Sequence, residues 1–281
     1  MSLATFFQST ATRALLPKTE RARLTGLRIN DAGHGYDVLG LQPASVAAAV
    51  ALLRPIYEGW FRVQSHGAEH IPEQGAAILA ANHSGMLPID AVMITLDAIR
   101  HTTPPRVPRS VGEAFIPFLP WLGTALSRAG MVSGSRGNFR HLLDTGELVL
   151  VFPEGVPGIS KGFAHRYELQ EWRVGHVELA IRHRAPVIPV AVIGAEESWM
   201  QVAKLERVHP FGAPFLPIPL TPFPLPVRYH IHYGEPLRLY EQFSYDEALD
   251  PEVARTAADL VKAEVEKLIE RGRQQRSGWF R

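Results

Sequence analysis

The chain contains no cysteine, which excludes a disulfide framework, a thiol nucleophile and thiolate-bound metals. It also has almost no net charge. With 29 basic and 28 acidic side chains the formal balance is +1, so bulk electrostatics make no case for nucleic acid as a partner. No apolar run is long enough to span a bilayer: Ala44 to Leu53 stops at Arg54-Pro55. Met1 to Arg23 lacks the continuous apolar centre of a signal peptide, and cytoplasmic residence is the expectation. What remains, 46% hydrophobic and 20% charged over 281 residues, describes a globular chain long enough to bury a substantial core.

The most informative segment is Asn82-His83-Ser84-Gly85-Met86-Leu87-Pro88-Ile89-Asp90. It follows an apolar run, Ala76 to Ala81, that reads as a short buried strand. Gly85 permits a tight turn, Pro88 suits a first helical turn, and Ala91 to Ile99 continues that helix. An imidazole held by a carboxylate at such a strand mouth can take a proton from a hydroxyl near neutral pH. The plainer alternative makes Asp90 a helix-start acid favoured by the dipole, and His83 a loop residue. Ser84 could suggest an acyl-serine enzyme, but no Gly-x-Ser-x-Gly elbow surrounds it.

Three further blocks follow in order. Gly130 to Asn138, with Arg128 before it and Arg136 inside it, suits close approach of backbone and guanidinium to an anion. Glu147 to Phe152 reads as a strand running into Pro153-Glu154-Gly155-Val156-Pro157-Gly158, which would present Glu154 at a strand end. Ala185 to Gly194 reads as a buried strand begun by prolines.

Together these segments resemble the glycerolipid acyltransferase family, which includes the 1-acylglycerol-3-phosphate acyltransferases. The matching blocks are Asn82 to Asp90, Gly130 to Arg136, Phe152 to Gly155 and Pro186 to Pro189, within Arg62 to Pro236. The resemblance implies His83 as the base, Asp90 as its orienting partner and Arg136 as a phosphate ligand. It further implies that Glu154 and Gly155 help position the acceptor. Two departures stand out. Six residues separate His83 from Asp90 where four are commonest, a gap that resembles a bacterial subgroup reading Asn-His-Ser-Gly, Leu-Pro, Asp. Val156-Pro157 replaces the usual Thr-Arg after Phe-Pro-Glu-Gly, leaving Lys161, Arg166 or Arg173 as candidate cations.

The implied chemistry is O-acyl transfer from acyl-CoA, or acyl carrier protein, to a glycerolipid hydroxyl, with lysophosphatidic acid the favoured acceptor and no cofactor. A neutral acceptor is the variant that the missing Thr-Arg allows. The rival readings are an acyl-thioester hydrolase and a non-catalytic lipid-binding module of the same fold.

The expected fold is α/β, with a mixed, mainly parallel central sheet flanked by helices and a small helical N-terminal part. Residues 1–60 form the N-terminal helical segment. Residues 61–281 form the acyltransferase domain, closed by an amphipathic helix whose apolar residues recur at helical intervals from Pro251 to Arg271. Phe115 to Leu122 and Pro210 to Val227 are apolar and proline-rich. They serve either as ordered cover for the core or as contacts with an acyl chain or bilayer. Peripheral attachment to the inner face of the membrane is the corresponding hypothesis. The tail with Arg271, Arg273, Arg276, Trp279, Phe280 and Arg281 could touch anionic lipid or simply be solvated. His230 and His232 share a strand face and could bind metal, but no third ligand stands near them in sequence, so no metal is expected.

Overall fold

A computed structural model describes residues 10, 12–84, 88–113, 116, 121–208 and 215–280. The sequence expectations for Gly85, for most of Phe115 to Pro120 and for Pro210 to Pro214 lie outside those residues, as does Arg281.

In chain order the elements are α1 (Lys18–Leu24), α2 (Pro43–Pro55), a π-helical turn (Ile56–Trp60), β1 (Gln64–His66), β2 (Ala77–Ala81) and α3 (Ile89–His101). Then come β3 (Arg109–Gly112), α4 (Leu122–Arg128), β4 (Val132–Ser133), α5 (Arg136–Asp144) and β5 (Leu148–Val151). Next are α6 (Gly175–Arg182), β6 (Val187–Ile193), β7 (Gln201–Leu205), β8 (Leu216–Pro219), β9 (His230–Tyr233) and α7 (Pro251–Gln275). Short helical turns over Val156–Ser160 and Ala195–Ser198 follow β5 and β6.

The main sheet has the order β1-β9-β6-β2-β5-β3-β4. β6, β2, β5, β3 and β4 are parallel, whereas β9 runs antiparallel to β6 and carries β1 with it. The sheet is therefore mixed and mainly parallel, as expected. β2, β5 and β6 are buried at every residue, which is why they read as unbroken apolar runs and not as alternating ones. The chain leaves β2 toward β3 and returns to β5 and β6 on either side of it. Strand order reverses at β2, and the crevice beyond the carboxyl ends of such strands is where α/β folds bind ligands.

Two apolar layers sandwich the sheet. Leu79, Leu150, Ile188 and Ile231 face α2 and α3 through Val46, Val50, Met93 and Ile94. Ile78, Val149, Val187 and Ile193 face α5, α6 and α7 through Leu142, Leu179, Val261 and Val265. The helix expected from Pro251 to Arg271 extends to Gln275, with the Asp250 side chain accepting from the Glu252 amide as its cap.

The N-terminal helices join the first of these layers through Leu16 and Leu24. They are also tied to the sheet by a buried carboxylate. Asp97 of α3 accepts from Tyr57, from Ser65 Oγ at 2.7 Å and from Tyr233 Oη at 2.8 Å. This node therefore links the π-helical turn after α2 with α3, β1 and β9.

Over its described length the basic tail is anchored at several points, while Arg271, Arg273 and Phe280 stay exposed. Arg276 pairs with the buried Glu197, which Tyr167 also reaches. Arg273 lies over the Tyr167 ring at 5.2 Å, and the Trp279 carbonyl accepts from the Arg228 amide at 2.8 Å.

The expectation that His230 and His232 lack a third partner is also corrected. β1 pairs with β9 in the register His66↔His232, so a histidine over 160 residues upstream stacks on them. The sequence separation hid it, because β1 reaches this neighbour by a long connection through the whole domain.

Burial also predicts a pH dependence. It pushes His176, whose Nε2 has no hydrogen-bond partner among the described residues, down to about 4. Burial, then the neighbouring His66, takes His230 and His232 to about 4 as well. Between pH ~4 and ~6.5 the unfolded chain binds more protons at these rings than the native one, so stability rises with pH across that window and is lost on acidification. Glu196, raised to about 7 chiefly by burial, opposes this between pH ~4.5 and ~7, and Glu147 and His101, both raised, oppose it too. The contribution of one ring is therefore read by difference: relative to the wild type, His176→Phe should gain more in urea midpoint at pH 4.5 than at pH 6.5. An equal change at the two pH values would contradict the assignment.

Candidate active site

The site begins where β2 ends. Asn82, fully buried, donates from Nδ2 to the Val192 carbonyl (3.1 Å) and accepts the Val192 amide on Oδ1 (2.8 Å). Its side chain thus continues the β2–β6 pairing one step past the strand and fixes where the next residue departs. That next residue is His83. Its Nδ1 lies 2.7 Å from Asp90 Oδ2 across the six intervening residues.

Asp90 has no exposure and is held on three sides. Oδ2 also accepts the Ser84 amide at 2.8 Å, and Oδ1 accepts the Ala91 amide at 2.7 Å. Asp90 is thus a helix-start acid and the imidazole's partner at once; the two readings of the sequence are compatible. With the carboxylate on Nδ1, the Nδ1–H tautomer is favoured and the lone pair sits on Nε2. Nε2 makes no hydrogen bond among the described residues, and 16% of the side chain is exposed. Phe152 stacks on the ring at 4.2 Å between centroids and limits its rotation.

β5 lies beside β2 in parallel, with Ala80 opposite Val151, so the Phe152-Pro153-Glu154-Gly155 turn emerges next to His83. Glu154 is buried, and its carboxylate points into the protein. Oε1 accepts the His83 amide at 3.0 Å and Oε2 the Gln170 amide at 2.8 Å. Glu154 therefore braces the backbone of His83. Gly158 leaves room for this contact: a Cβ there would stand 3.1 Å from His83 Cβ and 2.8 Å from Glu154 Cβ.

Lys161 is likewise buried. Its Nζ lies 3.7 Å from Glu154 Oε2 and 3.2 Å from Glu196 Oε1, and it donates to the Glu168 carbonyl. Committed to these partners, it neutralises a buried acidic pair and is not open to a ligand. Gly155 adopts φ 57°, and its missing Cβ is taken up by the Arg173 guanidinium, 2.9 Å from where that atom would be. Of the cations offered in place of the missing Thr-Arg, Arg173 is the one placed on this turn. It is 65% exposed, with a long 3.5 Å contact to Glu113.

Arg136 is not brought to the pair. It opens α5 beyond β4, three strands from β2, and forms an ion pair with Glu178. Glu196 was missed by sequence reasoning, although it follows the β6 strand end and Gly194 much as Glu154 follows β5. Ser160 was also passed over, within Gly158-Ile159-Ser160-Lys161-Gly162. It ends a helical turn and donates to Pro157 O at 3.2 Å, not the strand-to-helix setting of a nucleophile elbow.

An imidazole beside a buried carboxylate at the central mouth of a mainly parallel sheet is an arrangement able to accept a proton from a hydroxyl. The family model described as Acyltransferase matches residues 62–193. An uncharacterised protein of Mycobacterium tuberculosis is 36% identical over 262 residues, 89% of this chain and 71% of that one. A Bos taurus protein named a DGAT1/2-independent enzyme synthesizing storage lipids is 26% identical, over 74% of this chain and 60% of its own. The fold matches the crystal structure of a 1-acyl-sn-glycerophosphate acyltransferase, PlsC, from Thermotoga maritima, with TM-score 0.59, 16% identity and 98% and 97% coverage. The chain belongs to the acyltransferase family, among the glycerolipid acyltransferases that its four sequence blocks resemble.

Proposed function

We propose that the protein transfers a fatty acyl group from an acyl thioester, acyl-CoA or acyl carrier protein, to the free hydroxyl of lysophosphatidic acid. The observation that carries this reading is the 2.7 Å contact between His83 Nδ1 and Asp90, with Nε2 making no hydrogen bond among the described residues. In the proposed step Nε2 takes the hydroxyl proton as the oxygen attacks the thioester carbonyl, and Asp90 stabilises the imidazolium. Collapse of the tetrahedral intermediate expels the thiolate, which receives the proton. The two substrates and the side chains account for every atom, and no cofactor is required.

For the phosphate of the acceptor, Arg173 is better placed than Arg136. Both side chains are largely exposed, but Arg173 lies against the Gly155 turn next to His83 with only a long contact to Glu113, whereas Arg136 pairs closely with Glu178 beyond β4. Arg173→Ala should raise KM for a phosphate-bearing acceptor about tenfold, the loss of one charge-assisted contact, with a smaller effect on kcat. A neutral acceptor such as a diacylglycerol is the second reading, supported by the Arg136–Glu178 pair and by the name of the storage-lipid relative. Purified protein with labelled oleoyl-CoA and a panel of acceptors separates the two. Product from lysophosphatidic acid supports the first; product only from neutral lipids replaces it, and thioester loss without acyl transfer would indicate a hydrolase.

Access to lipid is proposed through a peripheral surface at the same sheet edge. No helix of the described residues is long and apolar enough to cross a membrane. Ile193 pairs with His230, so the connection between β6 and β9 leaves from the edge that bears His83. On it Phe223 is 77% exposed, and Trp60 Nε1 donates to Pro224 O at 3.1 Å. Arg62 draws Trp60, Pro226 and Phe280 together through their carbonyls. Such a set of exposed aromatics suits the headgroup boundary. The protein should float with anionic liposomes, and joint replacement of Trp60 and Phe223 by serine should release it. Full recovery of the wild type in the soluble fraction would count against membrane docking.

A further inference from the structure

We propose that His66, His230 and His232 form a binding site for a divalent transition-metal ion of the zinc class, which clips the antiparallel edge of the sheet. The acyl-transfer site does not use these residues. They come from β1 and β9, at the margin of the sheet, and one ring nitrogen from each lies within 4.8 Å of the others. The rings share one face: His66 lies 4.3 Å from His232 and 5.8 Å from His230 between centroids, both stacked.

Two features point to a ligand and not to packing alone. His230 and His232 are 7% and 4% exposed, and the Nε2 atoms of both lack a hydrogen-bond partner among the described residues. A buried polar atom in that state is uncommon and costly, and a metal bond would satisfy it. Second, His66 is exposed on a three-residue edge strand, which supplies an entry path and leaves a fourth position for water. On the inner side α7 packs directly against His232 at Gly272, where a Cβ would stand 2.6 Å from Nε2, so an ion would enter from the β1 side.

Geometry and charge set the class of ion. Tetrahedral zinc at 2.0–2.1 Å from nitrogen needs ligand atoms roughly 3.4 Å apart. The three nitrogens lie within 4.8 Å, so binding would draw the His66 ring inward and bring the His230 and His232 rings, 6.4 Å apart between centroids, closer together. The ligand atoms are imidazole nitrogens with no carboxylate among them, and Arg228, Arg271 and Arg276 stand nearby. Arg276 is offset by Glu197. That environment disfavours magnesium and calcium, which need oxygen ligands, and favours zinc, nickel or copper. Binding would add a second link between β1 and β9, the strand that alone holds β1 in the sheet.

The test uses the metal-stripped full chain titrated with Zn2+ by calorimetry, followed by thermal melting. The expected result is one ion per chain and a higher Tm with Zn2+. His66→Ala, at an exposed position, should keep the wild-type circular dichroism, lose at least about tenfold in affinity and lose the Tm rise. His70→Ala, a nearby histidine outside the cluster, should bind as the wild type does. Co2+ should give the visible absorption of a tetrahedral site in the wild type and not in His66→Ala. Absence of Zn2+ binding, or equal binding by His66→Ala, would overturn the proposal.

Discussion

Turnover by His83→Ala should fall by about 10²- to 10⁴-fold, the range for loss of a general base, with no loss of the fold. The imidazole ring contributes one stacking contact with Phe152 and one bond to Asp90, and it is partly open to solvent. The brace from Glu154 grips the His83 main-chain amide, which alanine retains. The variant should therefore melt close to the wild type while product formation from labelled oleoyl-CoA collapses. Unchanged acyl transfer by His83→Ala would remove the base from the proposed step. Liposome binding should survive the substitution, which separates loss of chemistry from loss of lipid contact.

Asp90→Asn should lose almost as much, for a different reason. All acceptor positions of this carboxylate face donors: the His83 ring and Ser84 amide on Oδ2, the Ala91 amide on Oδ1. An amide has only one oxygen, so its NH2 must meet one of those N–H groups. If it faces His83, Nδ1 must accept, the proton moves to Nε2, and the base is lost through the wrong tautomer. If it faces Ala91, a buried donor is left unpaired at a cost of about 1–3 kcal/mol. A fall in kcat of about 10²-fold or more is expected, together with a lower melting temperature. Asp90→Glu should not rescue it, since the longer arm cannot meet all three donors from the same Cα. Wild-type kcat in Asp90→Asn would show that the contact to His83 is structural.

Much of the site could be read from the chain because it lies at strand ends marked by Gly and Pro. The runs Ala77–Ala81 and Leu148–Val151 are unbroken apolar segments because both faces of those strands are covered, and that same burial made the strands legible. His83, Asp90 and Glu154 could be named as a group from the blocks that carry them. Their partners could not. Lys161 looked like an available cation and is spent on Glu154 and Glu196. Arg136, which resembled a phosphate ligand, pairs with Glu178 beyond β4 while remaining largely exposed. Arg173, one of three candidates on equal terms, was singled out by the turn at Gly155. Charge and hydrogen-bond capacity are visible in a sequence, but which of them is already used depends on neighbours contributed by distant elements.

The sequence by itself determined the class of the sheet, the terminal helix and the presence of an imidazole and an acid at a strand mouth, because periodicity, turn residues and burial are local properties. Tertiary structure decided that six residues fold back to bring those two groups to 2.7 Å, that a buried glutamate 71 positions on grips the His83 amide from behind, and that a third histidine joins the pair on β9. The last two are matters of strand order and register, which pair residues far apart in the chain and leave no trace in local pattern.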